Sequence, residues 1–244
     1  MWHGTRVRES SIDVALAVTR EELDAASRLV HQCYLRRGYV KPSVDGRHVN
    51  VYLAMPSTAV FVARADGAIV ATVSLIGDSV LQLPCDELWG ADLAAFRATG
   101  RRLAEVSALA VSEAWRGAGL VTMRSLVRAI GVYGRDIARL DALCIAVHPR
   151  HAPFYEALLR FRRFGALRRC AAVNGAPAVG LQLDLRELDR PLDGAFAGSV
   201  FATEERVDVR ASLERDLARL RARRSLKFFH SRASHRSLGA KEPC

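Results

Sequence analysis

Three groups of residues in this sequence have the types and spacing to do chemistry. The first is Glu105, a lone carboxylate set among Leu103, Ala104, Val106 and Leu109. A carboxylate carried into an apolar segment must find a cationic partner or take a raised pKa, and either state suits a general base. The competing reading is a rim carboxylate paired to Arg101 or Arg102. The second group is Arg116-Gly117-Ala118-Gly119-Leu120, a glycine-rich turn with an arginine that opens an apolar-periodic segment. Unpaired backbone N–H groups and the positive end of the helix dipole gather at such a start, and glycines let phosphate oxygens come close. Taken alone, the pattern is equally a tight strand-to-helix turn. The third group is His148-Pro149-Arg150-His151. Two histidines three apart invite a metal reading, but no neighbouring cysteine or paired carboxylate accompanies them, and no metal site is assigned.

These residues need a frame, and the patterning supplies one. Residues 103–111 are apolar on both faces and read as a central strand. The turn at Arg116 then leads into a helix with Met123, Leu126, Val127 and Ile130 on one face. Residues 142–147 form a further buried strand, broken by His148-Pro149 and followed by a short helix over 154–159. Upstream, Thr19 and Glu22 make a capping box for a helix carrying Leu23, Ala26, Leu29, Val30 and Cys33, which Gly38 stops. Residues 14–18 are a short apolar strand before it. Asp66-Gly67 between β-branched runs predicts a hairpin joining 60–64 to 69–76. Residues 86–98 look helical, and the last strands fall near 164–170 and 178–185. The resulting order, β-α-β-β-α-β-α-β-α-β-β, predicts an α/β fold with a mixed central sheet and helices on both faces.

The chain has 244 residues, half of them hydrophobic and a quarter charged, enough to bury a sizeable core. No apolar run approaches the roughly 20 residues that span a bilayer, and no signal peptide is read at the start. Five cysteines, odd in number and without a Cys-x-x-Cys pair, point to a reducing compartment, so a cytoplasmic protein is expected. A formal net charge of +10 favours an anionic partner, from nucleic acid to an acidic protein, without choosing among them.

Two segments resemble a known family. Leu109-Ala110-Val111 followed by Ser112 to Leu120 resembles the acyl-donor-binding segment of the GNAT acyltransferases, whose pattern is Gln/Arg-x-x-Gly-x-Gly/Ala after a Leu-x-Val strand. Arg116 and Gly119 fit it, while Val121 stands where a small residue is usual. The stretch from Phe154-Tyr155 to Phe164-Gly165 resembles that family's Phe-Tyr-x-x-x-Gly-Phe segment. Within the family, Tyr34-Leu35-Arg36-Arg37-Gly38-Tyr39, Ala104-Glu105-Val106-Ser107 and Val147-His148-Pro149 to Tyr155 together resemble the N-acyl amino acid synthases of FeeM type, relatives of the acyl-homoserine lactone synthases. Relatives often carry arginine after the Glu-x-Ser segment; this chain has Ala108.

The resemblance implies a GNAT fold over residues 1–190, followed by a basic, partly helical extension over 191–244. It implies an N-acyltransferase that moves an acyl group, long-chain by analogy, from acyl carrier protein to the amino group of an amino acid. No permanently bound cofactor is implied; the donor is the acyl-phosphopantetheine of acyl carrier protein, or acyl-CoA. Glu105 would deprotonate the amine and Tyr155 would protonate the departing thiolate, unless Tyr155 is simply a core aromatic. Backbone N–H groups near Ala110 or Val111 would hold the oxyanion, and residues Arg116, Gly117, Ala118, Gly119 and Leu120 would hold the donor phosphate. Tyr34, Arg37, Tyr39, Ser107, His148 and His151 would frame the acceptor.

Two other functions stay open: an acetyl-CoA-dependent N-acetyltransferase, and a non-catalytic basic protein that binds nucleic acid. No recognition motif supports the latter, so no nucleic acid partner is expected. In the extension, Leu213, Leu217 and Leu220 share one side of a helix laced with Arg215, Arg219, Arg221, Arg223 and Arg224. A solvated charged face, a docking site for the acidic carrier protein, and peripheral membrane contact with Phe228-Phe229 on the apolar side are the three readings.

Overall fold

Local signals set the ends of the first elements. The strand β1 (Asp13–Leu16) leads into the helix α1 (Arg20–Arg36), and the capping box is present in full. The Thr19 hydroxyl accepts the Glu22 N–H at 3.1 Å while the Glu22 carboxylate accepts the Thr19 N–H at 2.9 Å. The hairpin of β2 (Thr58–Ala65) and β3 (Ala68–Gly77) turns on Asp66 and Gly67, both with positive φ (50° and 78°), as a primed two-residue turn requires. The computed structural model describes residues 12–189 and the helix Thr203–Arg236, with side chains described over 12–188 and 206–222.

The remaining elements are α2 (Asp86–Ala98), β4 (Leu103–Val111), α3 (Gly119–Val132), β5 (Ala142–Val147), α4 (Ala152–Leu159), β6 (Arg162–Cys170), β7 (Ala176–Asp184) and α5 (Thr203–Arg236). The strands form one seven-stranded sheet ordered β1-β2-β3-β4-β5-β7-β6. Every neighbouring pair is antiparallel except β4–β5. The element order is the one the sequence predicts.

The parallel pair is where the sheet opens. β4 and β5 are paired only through Leu103↔Ala142, Ala104↔Leu143 and Glu105↔Cys144, and both strands then run on without pairing to each other. On the opposite edge of β4, Ser107 faces Ser74 but Ala110 faces Thr72, so β4 carries one residue more than β3 over this stretch. The extra residue is absorbed at Ala108, which takes a left-handed φ of 52°. A non-glycine residue in that region is uncommon, and such bulges re-aim side chains beside active sites. Here Leu103 packs on the α2 side, Ala108 and Ala110 pack on α1, and Val106, Leu109 and Val111 face the α3 layer.

The main core lies between the sheet, α3 and α5, with Phe61, Leu75, Leu126, Leu181 and Leu213 fully buried within it. This corrects one reading of the basic helix. Leu213 is buried, and Leu217 and Leu220 pack against the same cluster, so this apolar stripe is not available as a membrane-facing side. The Phe228-Phe229 pair lies outside the described side chains. Arg215, Arg219 and Arg221 are exposed on the other face. The helix is also tied by polar contacts. Asp216 accepts the Leu16 N–H at 3.1 Å, and Arg206 grips Asp136 with two bonds of 2.6 and 2.8 Å. Among the described residues, no helix is long and apolar enough to cross a membrane.

A second, smaller cluster joins α2 to β6 on the other face, around Trp89. The Trp89 indole donates to the Ala166 carbonyl at 2.9 Å and its ring lies flat over Gly165, where an added Cβ would sit 2.6 Å from ring atoms. An indole wedged between a helix and a strand has little room to give, so Gly165→Ala is expected to destabilise the fold by about 1–3 kcal/mol. Urea denaturation measures this; an unchanged midpoint would show that the contact yields freely.

Candidate active site

The site starts from an ion-pair clamp. Arg97 near the end of α2 binds Asp86 at 2.6 and 2.7 Å and Asp78 at 3.0 Å. Asp86 in turn accepts the Leu83 N–H at 2.8 Å. These bonds fix the loop before α2, and Cys85 occupies the N-cap position there. Its backbone N–H points across to β4 and donates to Glu105 Oε2 at 2.6 Å.

Glu105 is 3 % exposed. Burial raises its pKa to about 7, against the bonds from the Cys85 N–H and thiol, which favour the charged form; the nearby Asp86 charge adds to the rise. The rim reading fails, because Arg101 pairs with Asp184 at 2.7 Å and the hydrogen bonds of Glu105 go to Cys85. A carboxyl that titrates near neutrality, in a dry setting, has the properties of a general base or acid.

Glu105 opens onto a cavity of about 810 Å³ that fills the gap between β4 and β5. One arm, on the α1–α2 side, is lined by Tyr34, Tyr39, His48, Tyr52, Cys85 and Glu105. The other, on the α3–α4 side, is apolar, with Met123, Val127, Ile130, Leu143, Phe154 and Phe161. Tyr34 is half-buried at the cavity wall and its pKa is pushed up to about 12, chiefly by desolvation. Tyr155 also lines the cavity, with its pKa raised by burial; among the described residues its hydroxyl has no hydrogen-bond partner. Ser107 lines the wall at the bulge.

Most of the residues singled out from sequence meet here. Tyr34, Arg37, Tyr39, Glu105, Ser107, Val111, Arg116, His148, His151 and Tyr155 all border the one cavity. Ala110 does not, since its side chain packs on α1, and the break in β4 is centred at Ala108 instead. The phosphate turn is also built differently from a tight glycine loop. Residues Glu113–Ala118 form a 3-10 turn, and α3 begins at Gly119 behind Ala118, with no side chain capping its first turn. An added Cβ at Gly117 or Gly119 would meet nothing within 4 Å, so both glycines face open space, while the Gly119 N–H itself donates to the Arg116 carbonyl. Leu120 is half-exposed on this rim, and Arg116 reaches Glu113 at 3.4 Å, the same carboxylate that Arg36 binds at 2.6 Å.

Beside the polar arm, a pocket of about 330 Å³ is bordered by Arg37, Tyr39, His148 and Arg150. His148 Nδ1 accepts the Arg150 N–H at 3.2 Å, and Arg150 Nε lies 3.1 Å from His151 Nε2. Burial lowers the pKa of His151, helped by the charges of Arg150 and Arg37. Among the described residues, neither Arg37 nor Arg150 has a carboxylate partner, which makes this corner attractive to an anion. Arg150 and Cys85 escape a reading of spacing alone. Arg150 sits inside the His-Pro-x-His segment and is marked by its lack of an acidic neighbour, whereas nothing local marks Cys85.

A mixed sheet that splays at its one parallel pair, with a bulged β4 and a buried acid at the fork, defines an acyltransferase of the GNAT class. Residues 25–184 match the family model of N-acyl amino acid synthase FeeM, and the chain belongs to that family. The solved structure of FeeM, an N-acyl amino acid synthase from uncultured soil microbes, is 30% identical with a TM-score of 0.64, over 73% of this chain and 94% of its own. The fold is shared more distantly with the acyl-homoserine lactone synthase LasI (18% identity, TM-score 0.58, 72% and 91% covered). It is shared too with BjaI, a CoA-dependent acyl-homoserine lactone synthase solved with SAM and isopentyl-CoA (20%, 0.51, 72% and 84%). No curated protein sequence matches the chain.

The raised pKa of Glu105 links the site to stability. The folded state holds this proton more tightly than the unfolded chain, where the group returns to its ordinary value of 4.5. Its contribution is therefore fully present below about pH 4.5 and is lost as pH rises through about 7. Glu105→Gln removes this loss, and the variant's stability relative to wild type is expected to improve by about 3 kcal/mol between about pH 4 and pH 8. Urea denaturation at the two pH values checks this, and a pH-independent difference would contradict a buried, raised carboxyl.

Proposed function

We propose that the protein transfers a long-chain acyl group from the thioester of acyl carrier protein to the α-amino group of an amino acid. The observation that carries this reading is the cavity lined differently on its two sides: apolar at Met123, Ile130, Phe154 and Phe161, and polar toward Arg37 and the adjoining Arg150, which have no carboxylate partner among the described residues. An acyl chain suits the first and an amino acid the second. The unit that performs the reaction is residues 1–190, with the extension over 191–244 bracing it through α5.

Glu105 takes a proton from the acceptor ammonium or amine, directly or through a water. The freed nitrogen attacks the thioester carbonyl, whose oxygen becomes an oxyanion at the fork. There the backbone N–H groups of β4 beyond Glu105 have no strand across from them on the β5 side, which leaves donors for that oxygen. The C–S bond breaks as the tetrahedral intermediate collapses, and the Tyr155 hydroxyl supplies the thiolate's proton. Ser107 and the Tyr34–Tyr39 pair, with ring centroids 5.7 Å apart, shape the acceptor's seat. The acceptor carboxylate is held by Arg37, His148 and Arg150, with His151 behind them. This set supplies the positive charge that Ala108 cannot.

The donor phosphate lies against the uncapped first turn of α3, at Gly119 and Leu120 behind Gly117 and Ala118, with Arg116 beside it. Val121 is exposed at this rim, and its bulk fits a single phosphodiester better than a pyrophosphate, which favours carrier protein over CoA. The site of action is the cytoplasm, where such carriers are charged.

Incubating the protein with long-chain acyl carrier protein and mixed amino acids is expected to yield N-acyl amino acids by mass spectrometry. Activity with acetyl-CoA alone would replace this reading with a small-molecule acetyltransferase. Glu105→Gln is expected to lower kcat by about 10²-fold or more. With wild type, kcat/KM should rise with pH through about 7, because the base works only when ionised. A flat profile or an unimpaired variant would remove Glu105 from the role.

A further inference from the structure

The surroundings of Glu105 contain a thiol that acyl transfer has no use for. Sγ of Cys85, Sγ of Cys144 and a carboxylate oxygen of Glu105 all lie within 4.8 Å of one another, and all three residues are buried. Cys144 comes from β5, directly across the last parallel rung from Glu105, and Cys85 from the N-cap of α2. Three separate elements thus converge on one point.

We infer that Cys85, Cys144 and Glu105 form a binding site for one thiophilic divalent cation of the zinc class. Such an ion sits about 2.3 Å from sulfur and about 2.0–2.2 Å from a carboxylate oxygen, so tetrahedral ligands lie about 3.5–3.8 Å apart. The present spacing, within 4.8 Å, closes to that by shifts of at most about 1 Å. A disulfide would need the two sulfurs at about 2.05 Å, and both are free thiols. Glu105 Oε2 is already held by the Cys85 N–H, a supporting bond of the kind that orients carboxylate ligands. Entry is open as well, because Cys85 and Glu105 both border the cavity, from which water would complete the coordination.

The binding step balances without any redox partner. Two S–H bonds break, two metal–sulfur bonds form, and both protons leave to solvent, with a third if the Glu105 carboxyl is still protonated. The ion then carries two thiolates and one carboxylate, for a net charge of −1. Resting on the reading of Glu105 as the base, an occupied site commits the base's lone pair to the cation and stops transfer reversibly. Free zinc-class ions would then act as an off switch built onto the catalytic carboxylate.

Cadmium chloride is the direct probe, titrated into the chelator-stripped, full-length protein. An ultraviolet sulfur-to-cadmium charge-transfer band should saturate at about one equivalent and release about two protons. Binding should weaken by about tenfold or more in Cys85→Ser and Cys144→Ser but not in Cys33→Ser, a buried cysteine outside the cluster. Circular dichroism of the metal-free variants checks that they fold. If one does not, the wild-type stoichiometry, proton release and the other variant decide. Absence of the band in wild type, or its survival in both cluster variants, would overturn the site. Inhibition by zinc chloride, reversed by chelator, separates the two readings. A band without inhibition keeps the site and dismisses Glu105 as the base; no band with an inactive Glu105→Gln dismisses the site and keeps the base.

Discussion

The architecture turns on keeping one carboxyl dry at the point where two strands part. Removing Glu105 from water raises the cost of its charge, and the bonds from the Cys85 N–H and thiol offset only part of that cost. The balance leaves a group that can give and take a proton near neutrality. An extra cationic partner would hold it ionised at neutral pH. A deeper seat without the Cys85 bond would hold it protonated.

That balance requires rigid walls, and each comes from a different part of the chain. Arg97 with Asp78 and Asp86 fixes the loop that delivers Cys85. Ala108, held in a left-handed conformation, lets β4 keep Ser107 at the cavity wall while its later residues pack on α1 and α3. On the far face, α5 buries Leu213 and ties β1 through Asp216, completing the core under the apolar arm. The fork between β4 and β5 is thus an opening framed by packed elements and need not form on binding. A site built on strands and clamped loops holds its groups in place before substrate arrives, which is where such catalysis draws much of its power.

What could be read from sequence follows from the range of the interactions. The Thr19–Glu22 box and the Asp66-Gly67 turn are local, so the bounds of α1 and the β2–β3 hairpin were legible. The apolar run 103–111 announces a central strand because helices cover both faces of the sheet there. Arg37 and Tyr39, far along the chain from His148, were reachable with it through the family resemblance. The left-handed backbone at Ala108 was not, because alanine carries no signal for it and tertiary packing imposes it. The bond from Cys85 to Glu105 joins residues twenty apart through a loop with no periodicity. The leucines of α5 show the opposite failure: a helical stripe says that one face is buried, not what covers it, and the core covers it here.

The central claim is that burial sets Glu105 to titrate near neutral pH. Infrared difference spectroscopy on protein with isotope-labelled glutamate, taking wild type minus Glu105→Gln across pH, isolates this one carboxyl. The expected result is that its protonated C=O band disappears as pH rises through about 7. Disappearance of the band at the ordinary value of 4.5 would contradict it.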